Sequence, residues 1–243
     1  MLILGISGRK QSGKSTTGNF IYSIYMSNLG ISNKVYINEY GQIIVSDLLG
    51  DTNYSGVFDP TNHYDTNNDY IISQVFEKLA PYIKIYNFAD VLKRDICMNI
   101  LGLTYDQCYG SDEEKNTPTN LKLEDKHLSA RDILQYIGTD IFRKIKPDVW
   151  VEATITKIRK DKPELAIITD CRFPNEVDII KNNQGKVLRL ARDLHHSDHI
   201  SETILDPDNY NWTNFDFVLN NENMSILEQL TETKNILEEI LKL

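Results

Sequence analysis

An α/β fold, with a mainly parallel central sheet and helices on both faces, is what this 243-residue sequence predicts. Three observations carry that expectation. Short apolar, β-rich runs alternate with longer helical segments, the pattern of right-handed crossovers that set strands in parallel and cover both faces of the sheet. The apolar run LILGIS (2–7) feeds directly into the octapeptide GRKQSGKS (8–15), and helix-forming sequence follows it. In the second half, LAIITD (165–170) reads as an equally strong strand. A chain of this length buries a substantial core, and 1–243 is read as one domain.

The elements follow in order. A strand is expected over 2–7 and a helix over 14–29, closed by the turn signals of LGISN (29–33). KVYINEYGQIIVSD (34–47) holds two β-rich halves around Asn38-Glu39-Tyr40-Gly41 and reads as an inserted hairpin. Residues 50–70 are rich in Asn, Asp, Thr and Gly without periodicity, and are expected to be a long mobile loop, so that 34–70 forms an insertion. IKIYNF (83–88) reads as a strand and 89–100 as a helix. A polar loop is expected over 110–128. Ser129 with Asp132 then resembles a helix start, and Ile133, Leu134, Ile137 and Ile141 supply its apolar face. VWVEATITKIRK (149–160) is helical, KVLRLAR (186–192) and FDFVLN (215–220) are strands, and 225–243 is an amphipathic helix that packs on the sheet.

Composition narrows the function. With 41% hydrophobic and 25% charged residues the chain is ordinary for a globular protein, and no apolar run approaches the roughly 18–20 residues that span a bilayer. No secretory leader is read at the N-terminus. Cys97, Cys108 and Cys171 form an odd set without metal-like spacing, as expected of a reduced, cytoplasmic chain. A net charge of −9 argues against nonspecific nucleic-acid binding, which needs basic surface, yet leaves room for a locally positive nucleotide pocket. The expected partners are small-molecule nucleotides, with no nucleic acid and no membrane; a homodimer is compatible with this reading.

GRKQSGKS fits G-x-x-x-x-G-K-[ST], the phosphate-cradling P-loop, in its proper strand–turn–helix setting. Gly8 and Gly13 let backbone N–H groups converge on phosphate oxygens, and the helix N-terminus adds its positive dipole end. The nucleotide-holding set is Gly8, Ser12, Gly13, Lys14, Ser15 and Thr16. Lys14 is expected to reach the β- and γ-phosphates of a nucleoside triphosphate, and the Ser15 hydroxyl to bind Mg²⁺. Asp170 ends a strand, where a carboxylate can hold or orient a metal-bound water, and Arg172 points to the same side two residues on. Lys93, Arg94, Arg131, Arg143, Arg172, Arg189 and Arg192 are the cations that could gather on phosphates. HHSDHISE (195–202) reads as a polar nucleotide-contacting loop in preference to a zinc site through His195, His196 and His199. Tyr136 and Trp150 could stack on a base or belong to the core.

Taken together, GISGRKQSGKSTTGNFI, FADVLK (88–93), ARDILQYIGTDIFR (130–143), PDVW (147–150), TDCRFPNE (169–176), HISE (199–202) and FDFVLNN (215–221) resemble the deoxynucleoside monophosphate kinases of bacteriophages. The resemblance implies a P-loop NTPase three-layer fold and transfer of the ATP γ-phosphate to a deoxynucleoside 5′-monophosphate, giving a dNDP. It implies that Lys14 and Ser15 hold ATP and Mg²⁺, with Asp170 as a second metal contact. Arg131, Gln135, Thr139, Asp140 and Arg143 would line the acceptor site, with Lys93, Trp150 and Glu202 as further substrate contacts. Lys14, Asp170, Arg172 and Arg131 would form the catalytic set, and Arg192 would lie on the ATP side. One departure is Ser15, where family loops often carry Asp. The same order of motifs is similar to animal-type phosphomevalonate kinases, which gives an alternative acceptor; LQYIGTD and DVW favour the nucleotide. A nucleotide switch is the reading from another class, because DLLG (47–50) fits D-x-x-G, but no N-K-x-D accompanies it.

Overall fold

The computed structural model describes residues 1–62, 70–194 and 200–241. Strand β1 (Leu2–Ser7) precedes helix α1 (Lys14–Asn28), then β2 (Ser32–Ile37), β3 (Ile43–Leu48), β4 (Asp51–Phe58), α2 (Tyr70–Leu79) and β5 (Ile83–Tyr86). A π-helical segment (Val91–Met98) leads to α3 (Tyr105–Tyr109), α4 (Asp112–Asn116), β6 (Pro118–Leu123) and β7 (Lys126–Ser129). There follow α5 (Ala130–Gln135), a second π-helical segment (Tyr136–Arg143) and α6 (Val149–Asp161). The rest is β8 (Leu165–Cys171), α7 (Pro174–Asn182), β9 (Lys186–Leu190), α8 (Ile200–Thr203), β10 (Phe217–Leu219) and α9 (Ile226–Leu241). The chain divides into two compact units, Met1–Asn87 with Ile158–Leu243, and Phe88–Lys157.

The first unit is built on a five-stranded sheet in the order β10-β9-β1-β8-β5, parallel at every pairing. Ile3, Leu4 and Ile6 are all buried, as are Leu165 to Ile168, so the central strands β1 and β8 are covered on both faces by helices. That is the α/β architecture expected. Because β1 lies between β8 and β9, its C-terminal end is flanked by two other strand ends, and residues from all three meet there.

β2, β3 and β4 form a separate antiparallel sheet whose inner residues Ile43, Val45, Leu48 and Phe58 join the same apolar cluster as Leu4, Ile6 and Ile167. The hairpin expected at 34–47 is therefore present, with its turn after Ile37. Residues 51–58, expected within a mobile loop, instead form β4 and pair with β3. Thr52, Asn53 and Ser55 face solvent, and Phe58 is the one fully buried position of the strand. An edge strand with a single buried apolar anchor carries too little alternation to be read from composition. Phe58 seats between Tyr22 and Phe76, with ring centroids 6.0 and 5.3 Å away. Residues 63–69 of the expected loop lie outside the described residues.

The second unit has its own core of Leu92, Cys97, Leu103, Cys108, Ala130, Ile133 and Trp150. Its polar stretch 110–128, expected as a loop, is a short helix and the β6–β7 hairpin. Capping boxes start three of its helices, Thr104 with Gln107, Ser111 with Glu114 and Ser129 with Asp132, the last as expected. The helices over 91–98 and 136–143 are wound as π-helix. The indole N–H of Trp150 donates to the Gly138 carbonyl at 3.0 Å, the sort of insertion that widens a helical ladder. Gly138 is needed for a second reason, since a Cβ there would sit 2.6 Å from the Leu92 side chain. Trp150 is only 3% exposed and packs on Phe142 at 5.2 Å. Trp150→Ala is expected to lower stability by about 3–5 kcal/mol, read as a fall in the urea midpoint without loss of secondary structure in the first unit.

Candidate active site

The glycine loop leaves β1 at the buried Ser7 and re-enters helix at Lys14. Gly13, the residue before α1, has φ 99°, in the left-handed region where a side chain is strained. A Cβ there would also lie 2.5 Å from the Gln229 amide. At Gly8 a Cβ would come within 2.3 Å of Ser12 Oγ. The loop is supported from behind by residues distant in sequence. Asn221 Nδ2 donates to the Ser12 carbonyl at 2.8 Å. Gln229 Nε2 donates to Thr17 Oγ1 at 3.0 Å and to the Gly13 carbonyl at 3.3 Å.

In front of the loop opens a cleft of about 430 Å³. Lys10, Gln11, Gly13, Lys14, Ser15 and Thr16 line it from the loop; Asn87, Thr169, Asp170 and Arg172 line it from the ends of β5 and β8. Tyr40, 76% exposed, completes the lining from the turn between β2 and β3. That turn is docked on α1 through Asn19, whose amide donates to the Gly41 carbonyl at 2.9 Å.

Lys14 is the electrostatic centre of the cleft. It is 8% exposed, and its ammonium donates to the carbonyls of Gly8 at 2.8 Å and Arg9 at 2.6 Å. Burial pushes its pKa down to about 7; the positive charges of Arg172 and Arg189 add to that, while Glu202 and Asp170 oppose it. A buried cation of this kind binds anions strongly, because an incoming negative charge replaces the lost solvation.

Arg172 follows β8 directly. Its backbone N–H and that of Phe173 both donate to the buried Glu176 carboxylate, at 2.6 and 3.0 Å. Its guanidinium pairs with Glu202, and the other Glu202 oxygen accepts the Lys10 backbone N–H at 2.6 Å. Glu202, expected as a substrate contact, thus sits among donors of the kind that bind anions.

Three expected cations serve the framework. Arg189 is buried on β9, donates to Ser7 Oγ at 3.1 Å, pairs with Asp206 at 3.4 Å and lies 5.2 Å over the Trp212 ring. Arg192, expected on the ATP side, donates to the carbonyls of Asn221 at 3.0 Å and Met224 at 2.5 Å and so ties the end of β9 to the turn before α9. Arg94 pairs with its neighbour Asp95 at 2.6 Å. A fourth cation, Arg9, which the loop motif leaves unspecified, pairs with Asp193 at 2.7 Å and with Asp206, whose oxygen accepts its Nε–H at 3.1 Å. Those two carboxylates hold its charge firmly on.

The block expected to line the acceptor site lies in the second unit. Arg131 donates to Asn116 and Asp112, both at 2.8 Å. Gln135, Thr139 and Asp140 are exposed, and Asp140 lies 3.5 Å from Lys144. Arg143 is half-buried at the end of the second π segment. The Lys93 ammonium sits 4.6 Å over the Tyr109 ring. Trp150 lies beneath this helix as support and offers almost no free ring face to a base. His195, His196 and His199 are outside the described residues. All three cysteines are buried; burial pushes the Cys97 thiol up to about 12 and the Cys171 thiol well above its ordinary range, so neither is a nucleophile.

A parallel sheet whose first strand runs through a glycine loop into a helix, with a buried lysine facing an aspartate and an arginine from the adjacent strand, defines the P-loop class of phosphate-binding proteins. Within that class the chain belongs to the deoxynucleotide monophosphate kinase family, whose model matches residues 2–233. It is 32% identical over 120 residues to a protein of Acanthamoeba polyphaga mimivirus provisionally named deoxynucleotide monophosphate kinase, a match covering 44% of this chain and 59% of that one. It is 38% identical over 55 residues to the deoxynucleoside-5′-monophosphate kinase of Escherichia phage T5, covering 22% of each chain. The matches therefore span less than two thirds of either relative's length.

Proposed function

We propose that this chain transfers the γ-phosphate of ATP to the 5′-phosphate of a deoxynucleoside monophosphate, giving the diphosphate. The observation that carries this reading is the cleft in which Lys14, Asp170 and Arg172 face one another, in a chain of this family. Phosphoryl transfer needs little covalent help from the protein; it needs alignment and positive charge around oxygens that share the developing negative charge. Lys14, brought close to neutral by burial, regains full charge against the β- and γ-phosphates. Arg172 stands where it can bridge the transferred group. The acceptor oxygen is already anionic at neutral pH, so no residue has to remove a proton from it.

Ser15 and Asp170 line the same cleft and supply a hydroxyl and a carboxylate, an oxygen-only donor pair that suits Mg²⁺ together with substrate phosphates. When bound there, Mg²⁺ neutralises charge on the phosphate oxygens. Arg131, Gln135, Thr139, Asp140 and Arg143, with Lys93, are assigned to the acceptor nucleotide. Among the described residues no helix is long and apolar enough to cross a membrane, and the reading puts the protein with its substrates in the cytoplasm.

The test is an ATP-consumption assay with each dNMP, each NMP and phosphomevalonate as acceptor. Adding the preferred dNMP is expected to raise turnover by about 100-fold or more over the acceptor-free rate, because correct alignment is supplied only with both substrates bound. An ATPase rate indifferent to every dNMP, or faster turnover with phosphomevalonate, would reject the assignment.

A further inference from the structure

Glu202 carries an arrangement that substrate binding does not account for. One carboxylate oxygen accepts a backbone N–H of the glycine loop, from Lys10 at 2.6 Å, and the other pairs with Arg172. A loop amide and a forked guanidinium are the donors that recognise phosphate oxygens. Both donors belong to residues that line the cleft. The Glu202 side chain is only 10% exposed, so the carboxylate sits inside this donor set and not at its rim.

We propose that Glu202 is a positioning residue that stands in for a phosphate: its carboxylate holds the Lys10 amide and Arg172 in the geometry of an anion site and yields them to the incoming phosphate. The inference rests on the reading of the cleft as a polyphosphate site. Two further features support it. Lys14 feels the positive charges of Arg172 and the buried Arg189, and the Glu202 carboxylate, paired with Arg172, opposes them. Glu202 is carried on α8, a four-residue helix with no fully buried residue, so its own side chain can turn away without opening a packed core. A carboxylate in this position serves the site in two opposed ways. It keeps Arg172 extended toward the cleft, which favours transfer, and it competes with the phosphate, which weakens binding.

The test is the sign of a binding change. Calorimetric titration with inorganic pyrophosphate is expected to give about tenfold tighter binding to Glu202→Gln than to the unaltered protein. In the same variant kcat is expected to fall by about fivefold or more, since Arg172 loses its guide. Adding Arg172→Met to Glu202→Gln is expected to abolish the tightening. Should Glu202→Gln not fold, Glu202→Ala gives the same reading. Unchanged or weaker pyrophosphate binding in the variant, with normal binding to the unaltered protein, overturns the inference alone. Absence of pyrophosphate and ATP binding in the unaltered protein overturns the polyphosphate reading with it.

Discussion

Lys14→Met is expected to lower kcat/KM for phosphoryl transfer by about 1,000-fold or more and, in the same protein, to raise the melting temperature. The loss follows from removing the buried ammonium that lines the cleft, whose charge matters most as negative charge spreads over the transferred oxygens. The gain follows from linkage. The Lys14 pKa lies near 7 in the folded protein against 10.5 for an unburied lysine, so between those values the unfolded chain binds more protons and stability rises with pH. Below pH 7 the charged, buried form carries its full cost. The melting temperature of Lys14→Met should therefore exceed that of the unaltered protein by about 3–6 °C at pH 6, with the difference shrinking toward pH 10. Binding shows the same group from the other side. A bound polyphosphate raises the Lys14 pKa, so above pH 7 ATP binding takes up a proton and its Kd climbs by up to about tenfold per pH unit. Titrations in buffers of different ionisation enthalpy would reveal that proton. A pH-independent Kd from 6 to 9, or a destabilised methionine variant, would contradict the placement of this charge.

What could be read in advance divides along sequence distance. The strand at Leu2–Ser7 and the helix from Lys14 are as expected, because one contiguous stretch encodes strand, turn and helix start. Asp170 and Arg172 were legible for the same reason: an apolar run ending in D-C-R shows both where the strand ends and which side the charges take. The supports of the loop were not. Asn221 reaches Ser12 across 209 positions and Asp206 reaches Arg9 across 197, contacts that exist only because β1 lies beside β9, with β10 outside it. FDFVLNN contains Asn221, but nothing local distinguishes a loop-bracing Asn from a turn Asn. Arg189 and Arg192 illustrate the converse. Charge type alone made them phosphate candidates, whereas burial beside Trp212 and two backbone carbonyls use their donors elsewhere. β4 and the β6–β7 hairpin were missed because polar, exposed strands lack the alternation by which strands are recognised. The hairpin turn was seen, yet its consequence, Tyr40 carried to the cleft, depends on Gly41 meeting Thr16 on α1, where a Cβ would lie 2.1 Å from Thr16 Oγ1.

Arg172→Met is expected to lower kcat by about 100- to 1,000-fold while changing KM for ATP by less than about tenfold. The corner that carries Arg172 is held independently of its guanidinium. Glu176, 2% exposed, accepts the N–H groups of residues 172 and 173, and Pro174 starts α7 immediately after. Removing the side chain therefore leaves the β8–α7 turn in place, and the melting temperature should move by no more than about 2 °C. What disappears is a forked, permanently charged donor on the same strand end as Asp170. A 1,000-fold fall corresponds to about 4 kcal/mol of transition-state stabilisation, within the range of cations that contact a transferred phosphoryl group. Arg172→Lys separates charge from shape. Lysine restores a positive charge but not the planar fork that can hold two oxygens at once, so it should recover no more than about tenfold of the lost kcat. Full recovery in the lysine variant would reduce Arg172 to a simple source of positive potential. An unaltered kcat in the methionine variant would remove it from the transfer step and return that role to Lys14.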